Sequence, residues 1–171
     1  PYTTLFRSLI NRRSLLGASL VAGGSSLLFS CKDQLKNGVE KIEEIKKNKF
    51  NLKMVTTWPK DFPGLGTSAN RLAKKINTAS QGKINIRVFG AGELVPAYES
   101  FDAVRNGVAD MCHDSPYYWL SKHNAAVFFS TLPSGLNSSE QTSWILFGGG
   151  QQLWNELYNK FNLIAFPSGN A

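Results

Sequence analysis

Two histidines and an aspartate lie close together in the chain: His113, Asp114 and His123. Imidazole and carboxylate are the groups that bind metals and move protons near neutral pH. The histidines are ten residues apart across a turn, with Asp114 beside one of them. That is not the spacing of a zinc motif, and no third strong ligand follows. Cys112 precedes His113, but neighbours on a strand point to opposite faces, so no thiol–imidazole nucleophile is expected. A secreted enzyme built on His113, Asp114 and His123 is the weaker reading. The stronger chemistry follows directly, in Ser115-Pro116-Tyr117-Tyr118-Trp119. Phenolic hydroxyls donate to carboxylate or keto oxygens, and an indole can stack or donate. Core packing would use the same aromatics, so that alternative stays open.

Such a turn needs a rigid strand beneath it. Val108 to Cys112 has the short apolar character of a buried third strand, and Pro116 stops it. Asn51 to Thr57 reads as a first strand, followed by the loop Trp58-Pro59-Lys60-Asp61-Phe62-Pro63-Gly64-Leu65-Gly66. Thr67 or Ser68 is expected to cap a helix that carries Ala69, Leu72, Ala73 and Ile76 on one face. Lys83 to Phe89 alternates as a second strand. The next loop holds Gly90 and Gly92, but no third glycine or lysine completes a phosphate-binding pattern. A helix from Pro96 to Arg105 follows, with Tyr98, Phe101 and Val104 as its apolar stripe. Ala125 to Thr131 is a second apolar run. A helix starts near Ser138, with Trp144, Ile145 and Phe147 as apolar mass. Gly148-Gly149-Gly150 breaks it, and another helix over 151–161 buries Leu153, Trp154, Leu157 and Tyr158. Leu163 to Phe166 is a last strand. Alternating strands and helices predict an α/β domain with a largely parallel sheet flanked by helices. Open sheets of this kind place ligands at the carboxyl ends of their strands.

The net charge of +7 is not spread evenly over the 171 residues. Arg7, Arg12 and Arg13 precede Cys31, where no acid occurs, and from Phe50 onward there are 10 basic and 8 acidic residues. The basicity belongs to the leader and spacer, so no nucleic-acid partner is expected. Residues 1–8 resemble a translated sequencing adapter and are set outside the fold. Residues 9–30 read as an export signal, with Arg12-Arg13 resembling a twin-arginine motif and Leu28-Phe29-Ser30-Cys31 resembling a lipobox. Cys31 is then the lipidation site, against the alternative of a plain cleaved signal. Membrane association would come only through this lipid anchor, and localisation would be periplasmic or otherwise extracytoplasmic. Residues 31–49 form a charged tether. Residues 50–171 are the folded part, and truncation is the simpler reading of a chain that stops just past a strand.

Several blocks in order carry a family resemblance: Thr56-Thr57-Trp58-Pro59, Phe89-Gly90-Ala91-Gly92-Glu93-Leu94-Val95-Pro96, Ser115-Pro116-Tyr117-Tyr118-Trp119, Leu132-Pro133-Ser134-Gly135-Leu136-Asn137 and Gly148-Gly149-Gly150-Gln151. Together they are similar to DctP-type solute receptors of tripartite ATP-independent periplasmic (TRAP) transporters, in the branch for 2-oxo acids and related monocarboxylates. The resemblance implies the first lobe of a two-lobed periplasmic-binding-protein-like fold. It implies a non-enzymatic receptor that hands a small organic acid to TRAP membrane permease subunits. It implies no cofactor or metal site in this fragment, although in the family a cation can sit beside the ligand. Trp58, Tyr117, Tyr118 and Asn170 match family positions at the cleft. The family's carboxylate-gripping arginine maps beyond Ala171, and Arg71, Arg87 and Arg105 do not occupy its place. A receptor for an ATP-driven importer, with similar lobes and a different membrane partner, is the alternative.

Overall fold

The computed structural model describes residues 2–7 and 49–169. The leader and tether over 8–48, including Cys31, and Asn170 lie outside the described residues. Five strands form one sheet in the order β3-β2-β4-β1-β5. They are β1 (Tyr2–Arg7), β2 (Phe50–Thr56), β3 (Ile84–Phe89), β4 (Met111–Asp114) and β5 (Leu163–Gly169). The helices are α1 (Leu65–Ala79), α2 (Ser100–Arg105), α3 (Ser138–Phe147) and α4 (Gly150–Asn159), with 3₁₀ turns at Ala97–Glu99, Pro116–Trp119 and Asn124–Phe129. β2 is parallel to β3 and to β4, whereas β1 runs antiparallel to both β4 and β5. The sheet is thus largely parallel, as the alternating pattern predicts. One strand comes from a segment that the sequence reading sets outside the fold: Tyr2–Arg7 pairs along Met111–Asp114 on one side and along β5 on the other.

The pleat sorts neighbouring residues into two cores. Met54 and Met111 join Ala69, Ala73, Ile86 and Val88 beneath α1. Val55 and Cys112, one residue on, join Phe101, Val104, Trp119, Trp154, Tyr158, Leu163 and Ala165 on the opposite face. A period of two along each strand is enough to produce this division. All four residues of β4 are buried because β4 lies inside the sheet with helices on both faces.

Several boundaries differ from the sequence reading. β4 starts three residues later than Val108, because residues 108–110 are a turn locked to β2. Lys53 N donates to Asp110 Oδ2 at 2.7 Å, and Lys53 Nζ donates to Val108 O at 3.1 Å. α1 begins at Leu65 with Gly64 as N-cap, and neither Thr67 nor Ser68 caps it. The reason is close packing: a Cβ on Gly66 would lie 2.4 Å from the Pro59 carbonyl oxygen, so the loop folds onto the helix start. The stripe on α2 is Phe101, Ala103 and Val104, while Tyr98 is 69% exposed on the preceding 3₁₀ turn. The apolar run after Ala125 is a 3₁₀ turn, capped by His123, whose Nδ1 accepts from Ala125 N at 3.1 Å. α3 is capped by Asn137, whose side chain accepts from Ser139 N and Glu140 N, while Glu140 returns a bond to Asn137 N. This reciprocal capping box satisfies donors that a helix start otherwise leaves open. Phe147 and Leu153 face solvent rather than the core, so α3 and α4 bury narrower faces than their composition suggests.

Candidate ligand-binding site at the strand ends

β2, β4 and β5 deliver their carboxyl ends to one region. From β2, Thr56 Oγ1 donates to Trp58 O at 2.6 Å and Ala91 N donates to the same carbonyl at 3.0 Å. These bonds fix the Trp58 backbone at the mouth of the first loop. The Trp58 ring is buried and meets His113 of β4 edge-on, with centroids 5.6 Å apart. His113 Nδ1 lies 3.2 Å from Ser168 Oγ, which joins β4 to β5. Burial lowers the His113 pKa to about 4, so the imidazole is neutral at physiological pH.

The opposite face of β4 carries a second assembly. Asp114 is fully buried, and its Oδ2 accepts from Cys112 Sγ and from Trp119 Nε1, both at 3.0 Å. Cys112 and Asp114 share a face because they are two apart on a strand, while His113 points the other way. Burial pushes the Asp114 pKa up to about 7, against the two hydrogen bonds, which favour the charged form. Ser115 and Ser130 hydroxyls lie 3.1 Å apart, and Lys122 pairs with Asp102 of α2. The segment from Ser115 to Ser130 is therefore held at both ends and at its middle.

That frame presents Tyr117 and Tyr118. Tyr117 is 46% exposed, and Tyr118 is half-buried. Their rings are 4.4 Å apart, and Tyr98 meets Tyr118 edge-on at 5.7 Å. Burial and the adjacent Tyr117 push the Tyr118 phenol upward, so it remains a hydroxyl donor. The result is a hydroxyl-tipped aromatic surface at the carboxyl end of β4.

The structure brings Trp58 into contact with His113 and Tyr117 into contact with Tyr118, both at β4's carboxyl end. It does not assemble the rival enzyme trio. His113 is buried, Asp114 lies on the other face of the strand, and exposed His123 uses its Nδ1 as a cap. Among the described residues no group of three His, Cys, Asp or Glu side chains is placed to hold a metal. The three arginines set aside from ligand binding are engaged elsewhere. Arg71 donates to Ser68 Oγ, Arg87 lies over the Phe89 ring and Arg105 pairs with Asp102. The Gly90–Gly92 loop closes on itself, with Gly90 N donating to Glu93 Oε2 at 2.8 Å. The sequence reading misses Tyr98 as part of the aromatic surface and Ser168 as the partner of His113. A tyrosine on a predicted core stripe was the available signal for the first. Ser168 carries no local signal, because its partner is 55 residues away.

Residues 54–171 match the model of bacterial extracellular solute-binding protein, family 7 (DctP). The monocarboxylate 2-oxoacid-binding periplasmic protein of Nostoc sp. strain PCC 7120 is 33% identical over 163 residues, covering 95% of this chain and 43% of that protein. A TRAP periplasmic solute-binding protein from Pseudoalteromonas atlantica T6c, solved with bound sodium and pyruvate, is 34% identical with a TM-score of 0.69. One from Colwellia psychrerythraea, solved with calcium and pyruvate, has the same identity and TM-score. Both comparisons cover 71% of this chain and 37% of the solved chain. A Bordetella bronchiseptica RB50 receptor with copurified calcium and picolinate is 37% identical, with a TM-score of 0.65, over 67% of this chain and 34% of its own. The chain thus spans less than half the length of these relatives. Its α/β sheet, its strand-end site and the match from Met54 onward all agree: the chain belongs to the bacterial extracellular solute-binding protein family 7.

Proposed function

We propose that this chain is the first lobe of an extracytoplasmic TRAP receptor that captures a small 2-oxo acid or related monocarboxylate. The observation that carries this reading is the hydroxyl-tipped aromatic turn at the carboxyl end of β4, in a fold shared with pyruvate-bound receptors. Tyr117 and Tyr118 donate to the ligand's carboxylate or keto oxygens, and Trp58 packs against it. Asn170, just past β5, supplies an amide donor. An arginine from the rest of the receptor grips the carboxylate in two parallel hydrogen bonds. A cation beside the ligand balances its charge, as sodium or calcium accompanies pyruvate in the two relatives. The receptor then passes the ligand to TRAP permease subunits and performs no reaction of its own.

The leader has a matching role. Similarity to the Nostoc protein covers 95% of the chain, so it takes in most of the leader as well as the lobe. Residues 9–30 direct export, Cys31 carries a lipid and residues 31–49 tether the lobe to the membrane. Cys31→Ala should release the receptor from membranes into the soluble periplasmic fraction, and a variant that stays membrane-bound would remove the anchor. The ligand reading is tested by calorimetric titration of pyruvate into the receptor carrying this lobe. Tyr117→Ala/Tyr118→Ala should weaken binding at least about tenfold, the loss of one to two good hydrogen bonds. Unchanged affinity would return both tyrosines to a packing role.

A further inference from the structure

The near balance of charge from Phe50 onward hides a segregation. Phe50 to Gly90 carries seven basic residues and one acid, Asp61, whereas Ala91 onward carries three basic residues and seven acids. In the fold, that first stretch holds β2, α1 and the edge strand β3. Lys60, Lys74 and Arg87 line a groove of about 440 Å³ along α1 and β3, together with Asn70, Asn77 and Thr78. Arg71, Lys75 and Lys83 are exposed on the same unit. None of these six cations pairs with a carboxylate among the described residues, where both ion pairs use Asp102. Asp61 accepts from Asn70 Nδ2 at 3.1 Å instead. The unit therefore presents positive charge that nothing nearby offsets.

The chemistry of the face says what fits it. β3 ends the sheet, but its free backbone edge is already occupied by side chains of α1 and the turn after it. Ser80 Oγ accepts from Ile84 N at 3.0 Å, and Asn77 Oδ1 accepts from Ile86 N at 2.8 Å. Addition of a partner strand is thereby blocked at both residues. Protein interfaces are centred on apolar and aromatic side chains and are poor in lysine. Among residues 50–90, only Phe50 and Phe62 are large exposed hydrophobics. An anionic lipid surface suits the reverse composition, spread lysine and arginine with an aromatic ring at the interface. Phe62 is such a ring, two residues from Lys60 and 48% exposed. The chain also enters this unit from the tether, because Phe50 N donates to Lys83 O at 2.7 Å. Nineteen residues separate Cys31 from Phe50. Fully extended, they reach at most about 65 Å.

We propose that the α1–β3 face is a second membrane contact, which lays the tethered lobe against anionic phospholipid headgroups. This rests on the reading of residues 9–49 as export signal, lipid anchor and tether. Each cation near such a surface strengthens binding only about fivefold, and salt weakens it further. The contact is therefore weak alone, and Cys31→Ala still releases the receptor at physiological salt. The tether makes it effective by holding the lobe at high local concentration beside the membrane. β4 stands two strands in from β3, so docking by this edge leaves the aromatic surface uncovered.

The test is vesicle co-sedimentation of the receptor carrying this lobe, with Cys31→Ala in every arm to remove the lipid. One set of vesicles is equimolar phosphatidylglycerol and phosphatidylcholine, and the other is phosphatidylcholine alone. The readout is the ratio of the two partition coefficients. At about 25 mM salt the ratio should be at least about 25, the contribution of two cations, and at about 500 mM it should fall near one. Lys74→Glu/Arg87→Glu should bring the low-salt ratio within about threefold of one. Arg105→Glu/Lys160→Glu removes the same net charge elsewhere and should leave the ratio unchanged. Circular dichroism checks the fold of both, and Lys74→Gln and Arg87→Gln singly replace a pair that does not fold. A ratio near one for the parent at low salt overturns the proposal and leaves an acidic protein surface as the partner of this face. An equal fall in both pairs also overturns it, because net charge and not this face would then govern binding. If Cys31→Ala stays on cell membranes, the anchor reading fails. Any attachment blind to lipid charge cancels in the ratio, which still decides the role of the face.

Discussion

Two aromatic clusters sit within one fold and differ in ring geometry, in place and in whether their rings end in a hydroxyl exposed to solvent. In the first, Phe129 is stacked between Trp144 and Trp154, with centroid distances of 5.8 and 5.2 Å and nearly parallel planes. It clamps the 124–129 turn against α3 and α4, and the flanking cavity of about 600 Å³ has walls of Phe128, Leu132, Leu136, Leu153 and Leu157. In the second, Tyr98, Tyr117 and Tyr118 meet edge-on or tilted, with two of the three exposed. Both clusters bring large aromatic area. Only the second offers exposed phenolic hydroxyls that suit a carboxylate or keto oxygen, and only the second stands at the carboxyl end of β4. Lys160 in the first region shares its wall with Glu156, so an anion gains little there. The aromatic content of a region therefore says little about its job. The polar tips and the element that carries them decide it.

This contrast can be broken by substitution. The largest effect is expected in the stacked cluster: Phe129→Ala should lower stability by about 3–5 kcal/mol, read by urea unfolding, because the cavity it leaves is enclosed by two tryptophans. A loss under about 1 kcal/mol would mean the stack is not a core. In the exposed cluster, Tyr117→Phe/Tyr118→Phe removes the hydroxyls and keeps the rings. Pyruvate affinity should fall about fivefold for each hydrogen bond lost, with the melting temperature nearly unchanged. If affinity holds, the rings act by stacking alone. The smallest effect is expected at Phe147, which is 87% exposed at the end of α3. Phe147→Ser should change stability by no more than about 0.5 kcal/mol. A larger loss would show that this ring is covered in the protein and that the apolar face of α3 belongs to an interface.

How much was legible beforehand varies by element. β3 was readable because Ile84, Ile86 and Val88 alternate, and two of them sit in the core beneath α1. Trp154, Leu157 and Tyr158 were readable as the buried face of α4 because they follow the helical period. Leu153 and Phe147 were misread because hydrophobicity reports preference, not what lies opposite a side chain. β1 was not readable at all. Nothing local in Tyr2–Arg7 announces that it fits between β4 and β5, a pairing set by more than 100 residues of separation. At the site, the aromatic turn was evident from Pro116 and its three successive aromatics. The supports beneath it, Asp114 to Trp119 and His113 to Ser168, were not.

The sequence by itself determined the α/β alternation, the turn chemistry after β4 and the apolar faces of α1 and α4. These depend on residue types at short, fixed spacing, and such spacing is a property of the chain alone. The tertiary structure alone settles that Asp114 is buried with Cys112 and Trp119 as its hydrogen-bond donors, that His113 is neutral against Trp58, and that Tyr98 joins the aromatic surface. Each of those depends on which distant residues are brought near, because burial and partner identity set the electrostatics of a side chain, and neither is encoded in its immediate neighbours.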